Sequence, residues 1–567
     1  MKDDSMTTIG GADLSIEEKL QHLDALLEFE QSPTPTSGLT AYSGLWTKKQ
    51  VTHLLKRCMY GAKKSDIDYF LTRTTAASVD ELITPLGAAP VPPLNHYTDL
   101  NSIADPNVPS GQTWVNAPWL ITTDGSDYEY LRFRSFSDWW NERMILQNRS
   151  IVEKMVLFWH NLLATEYRDI GRARWAYLNN KLYRDNALGN YKTLIKKVTT
   201  DVQMLRYLNG YLNTKNAPDE NYSRELQELF TLGIGSGYTE ADVQEAAKVL
   251  TGYRTDNTGT AASSVYSFDP TRHHTGNKTF SAFYTNTIIT GRTGTAGELE
   301  LDDLINMIFS KDQVSLFFCR EIYRFFVHYK IDATVEANII VPLAQLLRTS
   351  NYEVAPVLKL LFKSQHFYDS LANGGMIKSP MDFLVGMVRE FNVPIPPASP
   401  IKTYYAVLDK LRTESTVQSQ ELGNPVNVAG WPAYYQAPAF HRLWTNANTL
   451  QKRNKYSDQF ANNGFTIQGF SFKINVIAYA ATLSNPSDPN ILIQDSIDYL
   501  LREDLSATAK AYLKTFLLTG QTNDSYWTTA WSAYIAAPTD TTAVNTVKTR
   551  LTNLYKYMMN LSEYQLM

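Results

Sequence analysis

The sequence predicts a mainly α fold: a large multi-helical domain carrying a small β-hairpin insert and long loops rich in aromatic residues, Pro and Gly. Three observations predict it. Apolar residues recur at helical spacing along most of the 567-residue chain. Period-two alternation is confined to a short stretch at 262–291. No solenoid-type repeat divides the sequence.

Residues 1–45 read as an N-terminal extension and linker, and 46–567 as a single helical domain. Within the extension, 15–29 predicts a short helix opened by the capping box Ser15-Ile16-Glu17-Glu18. A helix over 47–61 carries the stripe Val51, Leu54, Leu55, Cys58 and stops at Gly61. Helices follow at 65–73 and 78–83. The Pro, Asn and Gly content of 85–125 predicts a long loop. Asp124-Gly125-Ser126-Asp127 reads as a turn, because most acidic positions of a calcium loop are missing. One helix is predicted over 137–164, then others at 173–188, 191–200, 202–208 and 220–232. Thr239 with Asp242 caps the next, which runs to Leu250 and ends at Gly252. Strand-like runs at 264–268, 278–281 and 287–290 form the insert. Helices resume at 298–310, 314–327, 333–349, 354–362, 380–391 and 404–411. Residues 422–448 read as an aromatic loop and 485–567 as helices.

Composition narrows the function classes. With 53 basic and 57 acidic residues and no Lys/Arg block, no nucleic-acid partner is expected. Cys58 and Cys319 both sit in apolar helical patterns and predict buried free thiols. Two cysteines exclude a disulfide framework and a cysteine-rich zinc site. No apolar run approaches the ~20 residues that span a bilayer. No secretory signal precedes Asp3-Asp4-Ser5, so the expected compartment is cytoplasmic if that start is native, and periplasmic or extracellular if a signal was removed.

Three segments concentrate polar residues in unusual company. They are Phe158-Trp159-His160-Asn161, then Asn221-Tyr222-Ser223-Arg224-Glu225-Leu226-Gln227-Glu228 continuing to Leu250-Thr251-Gly252, and Phe268-Asp269-Pro270 followed by His273-His274-Thr275-Gly276-Asn277-Lys278. Lys378-Ser379-Pro380, Gly430-Trp431-Pro432 with Trp444-Thr445-Asn446, and the closing Glu563-Tyr564-Gln565-Leu566-Met567 complete an ordered set. From about Trp46 onward this set closely resembles the bacterial family known as domain of unknown function 1800. The resemblance implies a cell-envelope setting, because many members carry export signals. It also implies a partner from a neighbouring sulfatase-related family. His274 departs from the pattern, since many members carry Asp there.

Each motif has a functional and a structural reading. His160 is a candidate general base or metal ligand, or else a buried histidine in an aromatic helix. Glu225 and Glu228 adjoin on one helical face, as do Arg224 and Glu228. Paired carboxylates suit acid–base work, and Arg224 would hold an anionic group; alternatively the three tie helices together. His273 and His274 are candidate metal ligands on a turn, with Lys278 as an anion contact; alternatively Gly and Lys fix the turn's geometry. Trp431 either stacks a sugar ring or packs a loop against helix ends. Gly233, Gly235 and Gly237 follow a helix, not a strand, so they read as a connector and not a nucleotide loop.

The expected function is a structural or binding component linked to the cell envelope. The alternative is a metal-assisted or carboxylate-based hydrolase-like enzyme acting on an envelope or extracellular polymer. That enzyme would gather His160, Glu225, Glu228, His273 and His274 in one pocket, with a divalent metal as the candidate cofactor.

Overall fold

The computed structural model describes residues 33–85, 87–119, 127–256 and 264–567. The fold is mainly α, as the periodicity predicts. The expected helix at 15–29 and most of the Asp124 turn lie outside the described residues.

Amphipathic segments form the helices they should. The helix Lys48–Cys58 buries Val51, Leu54, Leu55 and Cys58, and its last turn carries Lys56 and Arg57, favourable at the negative end of a helix. Gly61, at φ 72°, follows it. A Cβ there would stand 2.7 Å from the Cα of Gly386, so the chain crosses the helix Pro380–Glu390 with no side chain between the backbones. Thr239 and Asp242 make the expected reciprocal capping box on the helix Glu240–Val249. Cys58 and Cys319 are free and buried.

The segment 137–164 departs from expectation. It is two helices, Tyr128–Ile145 and Val152–Leu162. Both are buried along most of their length, so apolar periodicity runs through the break. Three contacts hold the break: Ile151 N–H donates to Leu82 O (3.0 Å), Val152 N–H to Ser150 Oγ (3.2 Å), and Arg389 Nη1 to the freed carbonyl of Ile145 (2.7 Å).

The β structure also differs. The insert is two separate antiparallel pairs. β1 (Tyr253–Thr255) pairs with β2 (Tyr266–Phe268), and β3 (Lys278–Thr279) with β4 (Ile288–Ile289). A further hairpin, β5 (Phe465–Ile467) and β6 (Phe470–Phe472), turns through Gln468 and Gly469, both at positive φ. That two-residue turn matches strand twist, but Gln-Gly is not the usual Asn-Gly signal. The predicted loop 422–448 ends in the helix Ala447–Ala461, capped by Asn446 and Thr449.

One contiguous set of buried side chains runs from Val51 to Tyr564. Charge is threaded through it. Lys56 Nζ lies 2.8 Å from Glu390 Oε1, both nearly fully buried. Lys378 stands 3.9 Å from Glu390 Oε2 and 3.8 Å above the Tyr564 ring. Near the chain's end, Lys378 N–H donates to Gln565 O (2.8 Å) and Met567 N–H to Met376 O (2.9 Å). Among the described residues no helix is long and apolar enough to cross a membrane.

Candidate functional site

The helix Val152–Leu162 is buried at every residue, and His160 is 4% exposed on it. Trp140, Trp431 and Tyr183 box the imidazole, with ring centroids at 5.3, 5.6 and 6.3 Å. Its Nε2 is buried with no hydrogen-bond partner. Burial in this aromatic box pushes the ring's pKa down to about 3, so the imidazole is neutral. The next residue does more. Asn161 Oδ1 accepts from the Trp431 N–H (2.9 Å). A Cβ at Gly430 (φ 90°) would stand 2.4 Å from the oxygens of Asn161, so only glycine permits this approach. Trp431 is 1% exposed; its indole packs on His160 and presents no open face.

The helix Asn221–Glu228 carries the second motif on a half-buried face. Arg224 spreads its guanidinium over Glu220 (3.1 Å), Glu228 (3.7 Å) and Glu240, making two bonds to the last. Glu225 is different. Burial first, and then the Glu228 carboxylate, push its pKa up to about 7 against the pull of Arg224. Tyr207 and Tyr238 lie close enough to feel Glu225, and the Tyr207 hydroxyl donates to Glu166 Oε1 (2.8 Å). Burial also raises the Glu166 carboxyl. Sequence reasoning missed Glu166, Tyr207 and Tyr238, because they approach Glu225 only through the folding of separate segments.

The third motif is a buried clamp. Thr251, just past the helix Glu240–Val249, accepts from His273 Nδ1 on its carbonyl (2.9 Å) and from the His274 N–H on its hydroxyl (2.8 Å). Lys278 Nζ donates to Glu300 Oε2 and to the His274 carbonyl. Glu300 Oε1 accepts from the Arg292 N–H (2.6 Å), and His273 Nε2 approaches it at 3.2 Å, out of line for a hydrogen bond. Lys278 and Glu300 are 0% exposed and His273 is 1% exposed. Burial would raise the Glu300 carboxyl, but His273, Lys278 and the Arg292 N–H hold it below the usual carboxylate range. Burial lowers the Lys278 ammonium, and burial with Lys278 and Lys248 lowers His274. Glu300 fell within the helix expected at 298–310 and was not singled out by the sequence.

The second and third motifs are sewn together. Ser281 donates through N–H and Oγ to Asp242 (2.7 Å each), and the Tyr284 hydroxyl donates to Gln227 Oε1 (2.6 Å). His160 stands apart: among the described residues, none of its ring neighbours belongs to either motif. No three His, Cys, Asp or Glu side chains among the described residues come together in a way that could hold a metal ion. A further pair escaped sequence reasoning. His96 Nε2 meets Asp138 Oδ2 at 3.0 Å, Arg412 Nε meets Oδ1 at 3.0 Å, and the His96 ring stacks on Tyr405 at 4.0 Å. His96 comes from a loop without periodicity, so nothing local announces the pairing.

These features define a large helical protein whose second and third polar motifs are hydrogen-bonded to one another across helices and a short hairpin. The chain belongs to the family described as protein of unknown function DUF1800, whose model matches residues 53–566. Neither the curated proteins nor the solved structures contain a match to it.

Proposed function

We propose that the chain is a structural or binding component linked to the cell envelope, in which the shared motifs hold the scaffold and the surface grooves meet the partner. One observation carries this reading: at almost zero exposure Lys278 and Glu300 spend their polar groups on one another and on the backbone, and His273 bonds the Thr251 carbonyl through Nδ1. Buried ion pairs of this kind specify a packing arrangement more than they supply chemistry. Trp431 and Asn161 repeat the pattern across a different interface. The envelope setting rests on the family resemblance. The test is co-sedimentation of the purified chain with isolated cell-wall sacculi and with membrane vesicles, beside an unrelated acidic protein. Retention above that control is expected; recovery in the supernatant alone would sink the reading.

A second reading has one observation in its favour. Glu225, pushed up to about 7 beside Glu228 on a half-buried face, has the protonation behaviour of a general acid at neutral pH. In that reading the chain is a carboxylate-based hydrolase of an envelope or extracellular polymer, with Glu225 donating a proton to the leaving oxygen. Release of new reducing ends should then be fastest below pH about 7 and fall by about 100-fold or more in Glu225→Gln. Equal release by wild type and variant would dismiss it.

A further inference from the structure

Most surface arginines of this protein meet a carboxylate. Arg206 and Arg272 do not, among the described residues. Arg206 donates to Thr255 Oγ1 and, through Nη2, to Thr255 O (3.3 Å). Arg272 Nη2 donates to Leu212 O (3.3 Å). These are neutral oxygens, so among the described residues neither guanidinium is held in an ion pair, and each can donate to an anion. Both line the same open groove, of about 890 Å³, between the β1–β2 pair and the 3₁₀ turn Gly210–Leu212. Arg254 joins them from the exposed side of β1, tied to Asp269 at 3.3 Å, and Asp256 lies on the same wall.

The groove is aromatic as well as basic. The Arg206 guanidinium lies 3.8 Å from the Tyr211 ring centre and 5.6 Å from that of Trp175. Tyr266 and Phe268 also line the groove, from the strand paired with β1. The Tyr266 hydroxyl is bonded outward to Glu298 (2.7 Å), which leaves the ring as a fixed surface. Trp175 is buried and lines, with Arg174, a separate small niche, where Arg174 Nε and Nη1 are buried without a hydrogen-bond partner.

We propose that this groove binds a carboxylated glycan. Aromatic faces suit the apolar faces of sugar rings, and a planar guanidinium donates two parallel N–H bonds to a carboxylate. Nucleic acid fits less well. Its affinity comes from many phosphate contacts, whereas this chain has net charge −4 and offers only a few unpaired cations here. The proposal rests on the binding reading above and gives that reading a ligand class and a location.

The test is titration of the full chain with polygalacturonate, neutral dextran and poly(U), with sacculus retention measured in parallel. Wild type should bind polygalacturonate in a salt-sensitive manner and ignore dextran. Arg206→Gln with Arg272→Gln should weaken binding by about tenfold or more. Because Arg206 braces Thr255, folding of the double variant is checked by circular dichroism, and Arg272→Gln alone carries the test if that fold is lost. Unchanged polygalacturonate affinity in a folded variant would overturn the proposal, as would equal binding of dextran or tighter binding of poly(U). If the variant loses polygalacturonate but keeps the sacculi, the groove stands and another surface holds the wall. If wild type binds polygalacturonate but not sacculi, the groove stands and the envelope reading falls.

Discussion

An ammonium sealed at zero exposure depends wholly on its partners. Removing Glu300 leaves Lys278 with only the His274 carbonyl, and breaking one side of a buried pair leaves an uncompensated charge. Glu300→Gln should therefore cost about 3–5 kcal/mol in urea-induced unfolding. Glu240→Gln is the control. Arg224 keeps Glu220 and Glu228, so the unfolding midpoint should not move. Lys378 tests the opposite sign. Burial first, opposed by Glu390 and reinforced by Lys56, pushes its pKa down to about 7, and its Nζ has no hydrogen-bond partner. In the unfolded chain a lysine titrates near ~10.4. Between those values the unfolded state binds more protons, so stability is lost as pH falls from about 10 to about 7 and the loss is complete below. Lys378→Met should match wild type near pH 10 and exceed it at pH 7, by a gap that stays constant at lower pH. Glu390 keeps Lys56 in that variant, which makes the comparison clean. A gap independent of pH across this window would contradict the assignment.

At the scale of elements, local rules and long-range pairing divide the labour. Periodicity and caps made the helices Lys48–Cys58 and Glu240–Val249 legible, because those signals lie within a few residues. The break between Ile145 and Val152 was not legible. Its stabilising donor, Arg389, arrives from 244 positions away. The strands were half legible for another reason: β1 is three residues long, too short for alternation to register. The candidate site follows the same division. The sequence singled out His273, Lys278 and Glu225, yet their partners Thr251, Glu300 and Tyr207 come from other elements. The loop ahead of the helix Pro432–Tyr435 gives an element-scale prediction. Gly430→Ala would force a left-handed backbone on alanine and drive its Cβ into Asn161. The loop should undock, with a loss of at least ~2 kcal/mol and new protease cleavage within 422–446, while distant segments stay protected. Undiminished protease resistance would refute the clamp.

Across the whole molecule, one contiguous set of buried side chains runs from Val51 to Tyr564. Its histidines set a collective acid response. Burial lowers His53, His328, His366 and His441 as well as His160, to about 4 for His328 and about 3 for His441 and His160. Each is neutral when folded and titrates near ~6.5 when unfolded. The unfolded state therefore gains protons first, and stability is lost as pH falls through 6.5 towards the folded values. Urea midpoints should drop steeply between pH 7 and pH 4, with His160→Phe reducing the slope. A flat profile would mean that the buried rings are charged or exposed.

Cys58 and Cys319 sit on two different helices and are sealed from solvent. Burial also raises both thiols well above their ordinary range, so the reactive thiolate is scarce even where a reagent arrives. Neither thiol is therefore placed to report whether the molecule resides among reductants or oxidants. An alkylating dye can reach sulfur only during an opening fluctuation. Its rate of uptake at each position becomes a clock for how often that part of the interior breathes.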